Sequence, residues 1–393
     1  MPDNSFQYVI LGAGCAGLSL CHALLMRGVT DPILILDQKP AFADDRTWCF
    51  WTTGFSPFQS LVSHCWHQWK VVDRTGATAL QTASSVGYAC LRGKDFYAHV
   101  LRDIRSYPNV TLRLNCQVAS CTSQESSVSV CTADGKTFRG EYGFDSRPQA
   151  FPSSETQAGL TFSQNFFGQL IHCHEPIFDP SCCTLMDFRV PQERGLHFLY
   201  ILPFSRTEAL VENTYIQNVK GERLTAEQHR HEILHYLAKH HTRRSFDVIR
   251  EEAGAIPMTL AAFPKRAGRI FFIGTAGGCT KPSSGYTFQR IQEQVRQIAD
   301  AAAAGHLADF REKPPPFHFR FFDAVFLQAM QDRPKAFSGY FFRLFSRVPP
   351  AALTSFLSET STWRSNLCII FSLPPGPFLQ AAIRALPRLF WNG

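Results

Sequence analysis

Gly12-Ala-Gly14-Cys-Ala-Gly17 lies between the apolar run Tyr8-Val-Ile-Leu11 and a helical run, and a lone acid, Asp37, closes the next apolar run, Ile33-Leu-Ile-Leu36. Strand, glycine turn, helix, strand and acid in this order constrain the chain to a Rossmann-type unit that binds an ADP moiety. The first glycine permits a tight turn, the second lets backbone N–H groups approach a pyrophosphate, and the third seats the helix on the sheet. Asp37 is placed to accept hydrogen bonds from a ribose. The position of the unit at the start of the chain favours FAD over NAD, the usual arrangement in flavoproteins with two dinucleotide domains.

A second strand, residues 269–273, runs into Gly274-Thr275-Ala276-Gly277-Gly278 and a helix expected over 286–304. The glycines beside that helix start offer backbone donors to a second part of the cofactor. A glycine turn so far from the first makes the dinucleotide domain discontinuous. The fold class expected is α/β: a discontinuous Rossmann-type FAD-binding domain (1–150 and 251–311), an inserted strand-rich substrate domain (151–250) and a C-terminal helical part (312–393). The last begins at Lys313-Pro-Pro-Pro316, which cannot continue a helix. Within the first part, residues 94–107 read as a helix, and runs 110–114, 127–131 and 137–144 as a β-meander turning at Asp134-Gly135. Runs 196–202 and 209–215 read as a hairpin, and Thr225 with Gln228 as a capping box opening a helix.

The 393 residues, 45% hydrophobic, can bury a large core. Thirteen cysteines without C-x-x-C spacing suit a reducing, cytoplasmic setting rather than a disulfide framework or zinc ribbon. No apolar run reaches the roughly 18 residues of a membrane span, so the expectation is a protein neither secreted nor spanning. The net charge of +7 is concentrated at the end: residues 317–393 hold eight Lys/Arg against three Asp/Glu, with thirteen of the 35 phenylalanines. No nucleic-acid motif accompanies these cations. Aromatics beside cations suit peripheral docking on an anionic membrane surface, with Phe341, Phe342 and Phe345 entering the interface; a helical core with a basic outer face fits the same composition.

Two stretches offer acid or metal chemistry. In Ala209-Leu-Val-Glu-Asn-Thr-Tyr215, alternation puts Leu210, Glu212 and Thr214 on one strand face and Val211, Asn213 and Tyr215 on the other. Facing the interior, Glu212 would be a neutral acid able to protonate an apolar substrate; facing water, an ordinary edge-strand glutamate. His231-Glu-Ile-Leu-His235 matches a zinc-hydrolase motif, with Glu251 or Glu252 as a third ligand. The surrounding histidines His229, His240 and His241 raise the odds of a chance match, and a solvated helix face without metal is the reading adopted. Arg46, in Asp44-Asp-Arg-Thr-Trp-Cys-Phe-Trp51, is placed to reach a pyrophosphate or flavin, and Trp48, Phe50 and Trp51 to wall a ring or simply pack.

Residues 45–51, Leu185-Met-Asp-Phe-Arg189, 198–205, Val211-Glu-Asn-Thr214, Ile256-Pro-Met258, 274–288 and Phe356-Leu-Ser-Glu359 together resemble the flavin-dependent lycopene β-cyclases over nearly the whole chain. The resemblance implies reduced FAD, with NAD(P)H as a reductant, and lycopene or related acyclic carotenes entering from the bilayer. It implies conversion of a ψ-end to a β-ring with no net redox change. Glu212 matches the acid of the family's motif and becomes the expected proton donor. Asn213 stands where many relatives carry a second acid, so the expectation is that no pair of carboxylates acts here. Phe166, Phe198, Tyr200 and Tyr286 are candidates to line the pocket. Three other functions remain open: an FAD/NADPH-dependent hydroxylase or reductase of an isoprenoid lipid, a hydrolase using His231 and His235, and a carotenoid-binding protein without catalysis.

Overall fold

The structure, a computed structural model, describes residues 5–54, 56–148, 160–241 and 245–390. In β1 (Ser5–Leu11) the run from Tyr8 to Leu11 is buried, as expected of a parallel strand covered on both faces. It pairs in parallel with β2 (Ile33–Leu36) and with β11 (Thr137–Asp145), and β2 pairs in parallel with β8 (Val110–Arg113). The chain returns to this sheet more than a hundred residues later, when β18 (Ile270–Phe272) joins β11 in parallel and β17 (Arg266–Ala267) closes the edge. The dinucleotide domain is therefore discontinuous, as expected. Helices α1 (Cys15–Leu25) and α4 (Phe288–Ala303) share one core with this sheet, Leu18, Leu24, Ile291 and Val295 meeting Ile10 and Ile35.

The meander is the first correction. The run at 110–114 is a parallel sheet strand, reached through α2 (Gly93–Arg105), and the third antiparallel strand is β9 (Val118–Ser123), which pairs with β10 (Val128–Thr132). Half-exposed polar residues of β9 carry no clear alternation, so its pattern was weak.

A second sheet of seven strands has the order β16 (Phe246–Thr259), β12 (Thr161–Cys173), β15 (Glu208–Asn218), β14 (Leu196–Pro203), β13 (Cys182–Asp187), β5 (Gln68–Val72), β6 (Thr78–Thr82). The hairpin of β14 and β15 forms as expected. Two domain limits shift. β5 and β6, expected in the cofactor domain, belong to this sheet, and β16 runs through the expected limit at 250/251 to Thr259. The limit expected at 150/151 lies outside the described residues. A small sheet of β3 (Thr47–Trp51), β7 (Tyr88–Arg92) and β4 (His64–Trp66) lies between.

Helix α3 (Ala226–His240) starts with the Thr225/Gln228 capping box and covers one face of the seven-stranded sheet, Ile233 and Leu237 meeting Phe167 and Val211. The other face is shared with the C-terminal helices α5 (Phe317–Asp332), α6 (Phe337–Arg347), α7 (Pro350–Leu357), α8 (Trp363–Ser372) and α9 (Pro375–Phe390). Gln81 of β6 fixes the end of α6: its Nε2 donates to the carbonyls of Phe345 at 2.8 Å and Val348 at 2.7 Å, and its Oε1 accepts from Trp69. Such bonds satisfy carbonyls that a helix end leaves without intrahelical partners.

Candidate active site

A cavity of about 1620 Å³ joins the two sheets. At one end lie the glycine turn and Asp37; at the other, Glu212, Glu252 and the side chains of Phe341, Phe345 and Leu357 from the C-terminal helices.

At the cofactor end the three glycines differ in what they allow. Gly12 has φ +99°, and a Cβ there would meet Ser146 Oγ at 2.4 Å. At Gly17 a Cβ would strike the Gly12 carbonyl at 1.9 Å, so only glycine lets α1 sit on the strand. Gly14 faces open space: a Cβ there would meet nothing within 4 Å. It is also the N-cap of α1, which has no side-chain cap and no acid in its first turn, so the helix start meets the cavity with free donors. Asp37 accepts from the Ala13 and Lys39 backbone N–H groups at 2.6 and 2.8 Å. These residues fit the diphosphate and ribose of a dinucleotide.

Of Gly274, Thr275, Ala276, Gly277 and Gly278, only Thr275 lines the cavity. The others shape the turn: Gly274 (φ +65°) lies against Ala16, a Cβ on Gly277 would meet the Phe272 carbonyl at 2.2 Å, and Gly278 (φ +74°) abuts Phe263. Direct lining comes instead from residues 283–288, of which only Tyr286 was expected to line the pocket. Their position is fixed by buried charge. Lys281, 2% exposed, donates to Asp323 of α5 at 2.7 Å and to Glu359 at 3.2 Å, Ser283 donates to the same Asp323, and Arg290 pairs with Glu359 at 2.6 Å. Arg46 sits at the cavity mouth, where its Nη1 donates to the carbonyls of Asp45 at 2.8 Å and Ala253 at 3.2 Å. Trp48 lines the cavity, whereas Phe50 and Trp51 are core residues.

At the other end the alternation of β15 holds. Leu210, Glu212 and Ile216 face the cavity, while Asn213 and Tyr215 turn to α3 and donate to Glu232. That use of Glu232, with His231 and His235 on the exposed side of α3, takes the zinc-like motif out of the cavity. Glu252 is likewise no partner of those histidines but part of the cavity wall. Glu212 is 9% exposed and accepts one hydrogen bond, from the Thr214 hydroxyl at 3.0 Å. Burial pushes its carboxyl up to about 8; the charge of Glu252 adds to the rise and the Thr214 bond opposes it. The same cavity is lined by Phe166, Phe198, Tyr200 and Tyr286, all four expected, and by Tyr88, which was not; Tyr200 stands directly opposite Glu212 in register. The Tyr200 hydroxyl donates to that of Tyr88 at 3.0 Å. Burial, first of all, raises both phenols well above their ordinary range, so they offer neutral, electron-rich faces. The arrangement places a protonated carboxylic acid among aromatic rings in a site opening toward a dinucleotide cradle.

The expected interfacial residues behave otherwise. Phe341 and Phe345 point into the cavity and Phe342 is half-buried in the same core. Within the C-terminal helices apolar exposure lies instead mainly on α8 and α9, at Trp363, Leu367, Ile370, Phe371, Leu379, Ile383 and Leu386, and also at Phe317 of α5. Among the described residues no single helix is long and apolar enough to cross a membrane; α8 and α9 pass that test only as a pair bent by 118°.

A parallel sheet interrupted by a second sheet, with a glycine turn at its strand ends, is an architecture this chain shares with solved FAD-dependent enzymes. The structure is similar to halogenase PltM in complex with phloroglucinol and FAD (TM-score 0.60, 13% identity, 98% of this chain and 96% of that one). It is equally similar to a geranylgeranyl bacteriochlorophyll reductase-like protein from Thermoplasma acidophilum (TM-score 0.60, 9% identity, 98% and 97%). Within that class the chain belongs to the lycopene cyclase family, whose profile, described as lycopene cyclase protein, matches residues 7–383. It is 26% identical to the lycopene beta-cyclase of Pantoea ananas over 97% of this chain and 98% of that protein. The lycopene beta-cyclase of Paracoccus sp. shows the same identity over 97% of each.

Proposed function

We propose that this protein is a lycopene β-cyclase that converts ψ-ends to β-rings by acid catalysis. The observation that carries the reading is Glu212, a buried carboxyl held protonated near neutral pH and facing an aromatic-lined cavity. Its proton passes to the terminal double bond of the ψ-end, leaving a tertiary cation. The neighbouring double bond closes the ring, and loss of a ring proton gives the β-ring, so no proton or electron is gained or lost overall. A carbocation survives only where water is excluded and negative potential is near. The faces of Phe166, Phe198, Tyr200 and Tyr286 supply part of that potential.

FAD fits the other end of the cavity, where Gly12, Gly14 and the start of α1 would hold its diphosphate and Asp37 its ribose. In its reduced form, maintained by NAD(P)H, it supplies negative charge to the site. The carotene reaches the cavity past Phe341, Phe345 and Leu357 from a membrane surface on which the exposed stripes of α8 and α9 rest. Their spacing, 363, 367, 370 and 379, 383, 386, follows the turns of a helix, and Arg364 stands beside them for a lipid phosphate, while Arg384 pairs with Asp332 of α5 at 3.0 Å. The protein is thus a cytoplasmic, peripheral membrane enzyme acting on lycopene and related acyclic carotenes.

Expression in cells that accumulate lycopene tests this reading. The expected pigments are γ-carotene and β-carotene, with the mass of lycopene and altered chromatographic retention. A product heavier by hydrogen or oxygen would instead select a reductase or hydroxylase, and unchanged lycopene would refute catalysis.

A further inference from the structure

Strand β12 is flanked by β15 on one side and β16 on the other, and in both registers the residue opposite Gly168 is a glutamate: Glu212 on β15 and Glu252 on β16. Residues directly opposite in an antiparallel pair project to the same face. Both carboxyl groups therefore rise on the cavity face with only a glycine between them. A Cβ at Gly168 would lie 3.6 Å from Glu212 Cβ and 3.4 Å from Glu252 Cγ.

The two acids have unequal surroundings. Glu252 is 5% exposed, pairs with Arg250 at 2.5 Å and accepts from the Thr47 hydroxyl at 2.8 Å. Arg250 is itself held by Thr47 at 2.7 Å and Asp44 at 3.3 Å. Among the described residues Glu212 has Thr214 and no cation in an ion pair with it. From the other neighbouring elements, Tyr200 of β14 stands opposite Glu212 in register, Tyr88 of β7 bonds to that phenol, and Arg46 lies at the exposed mouth. Where two carboxyl groups face one another and only one has a cation, charge settles on the paired acid and the proton on the other.

We propose that Glu252 is the positioning residue of the cyclisation site: salt-bridged to Arg250 across Gly168 from Glu212, it keeps the reactive proton on Glu212 at the pH of the cell. The role rests on the cyclase reading above, while its physical content, a charge that sets where Glu212 titrates, can be measured without substrate.

The test follows the infrared carbonyl band of the protonated Glu212 carboxyl in the FAD-loaded protein, assigned by its loss in Glu212→Gln. In Glu252→Gln the midpoint of that band should fall by about one pH unit or more, the scale of a like charge at short range. The alkaline limb of the cyclisation profile should move with it. Glu252→Asp, which keeps the salt bridge and withdraws the charge by one methylene, should give a smaller fall, and it serves alone if Glu252→Gln does not fold. An unchanged midpoint in a folded variant of either kind overturns the proposal. A shifted midpoint in a protein that forms no rings would overturn the cyclase reading alone, and rings with an unshifted midpoint would overturn the role of Glu252 alone.

Discussion

Asp37 at the end of β2 reaches back to the glycine turn and accepts the Ala13 backbone N–H at 2.6 Å. One carboxylate thus holds the turn while lining the cavity where a ribose would bind. The three turn glycines separate this structural duty from ligand contact. Gly14→Ala should leave the apoprotein fold and its Tm unchanged and weaken FAD by roughly tenfold or more, since its added methyl points into open cavity space. Gly17→Ala should destabilise the apoprotein by about 2 kcal/mol or more, through the clash with the Gly12 carbonyl. Thermal melts of apoprotein and FAD titration check both. Equal losses in the two variants would contradict the division of labour.

Replacing the acid is the direct probe of catalysis. Glu212→Gln keeps the shape and the Thr214 contact but has no acidic proton, so cyclisation should fall by roughly a hundredfold or more. FAD content should not change, because Glu212 lies on β15 at the far end of the cavity from the glycine turn. Normal turnover under rate-limiting conditions would place the proton source elsewhere.

The pH dependence has a definite sign. Glu212 must be protonated to act, so activity should decline as pH rises through about 8. Stability follows the same group. Its folded value is raised above the ordinary 4.5, so its contribution is complete below about 4.5 and is lost as pH rises toward about 8. Glu212→Gln escapes that loss and should be more stable than the unaltered chain by roughly 2–4 kcal/mol above pH 8, with the two converging near pH 4. Denaturant unfolding at a series of pH values measures the difference.

Membrane contact should depend on α8 and α9 and not on the buried phenylalanines of α6. Phe371→Glu with Ile383→Glu, at side chains 78% and 64% exposed in their residues, should cut co-sedimentation with anionic liposomes severalfold. Rising salt should weaken binding of the unaltered chain. Retained binding in the double variant would move the contact to another surface.

The exposed histidines give a control. His231→Ala and His235→Ala remove only solvent-facing imidazoles and should leave activity within twofold, whereas Glu232→Ala removes the acceptor of Asn213 and Tyr215 behind the active strand and should lower stability by about 1–3 kcal/mol. Large losses from either histidine would restore a role for that helix face.

Much of the fold was legible because its signals are local. The run from Tyr8 to Asp37 encodes strand, turn and helix in one stretch, and the alternation of residues 209–215 set Glu212 on the face opposite Asn213 and Tyr215 while leaving open whether that face was buried. The seven-stranded sheet was harder to read. β5 and β6 reach it through a parallel pairing with β13, a contact between residues more than a hundred positions apart that leaves no local pattern. Glu252, considered in the sequence only as a third ligand to His231 and His235, was misplaced for the same reason. Its meaning depends on Gly168 and Arg250, and only the register of β12 against both neighbours brings those residues together. Phe341 and Phe345 misled because composition cannot tell an aromatic that faces a cavity from one that faces lipid.

The buried charges around Lys281 make the C-terminal helices inseparable from the cofactor loop. A chain ended ahead of α5 would lose Asp323 and Glu359 together and strand Lys281 and Arg290, two cations with no carboxylate left in their cluster. Leaving such cations buried without their partners costs several kcal/mol per charge. The loop of Tyr286 and Phe288 would then lose its anchor at Ser283. The helical end is thus a keystone of the folded unit, and a chain shortened anywhere ahead of Glu359 would lose part of that cluster.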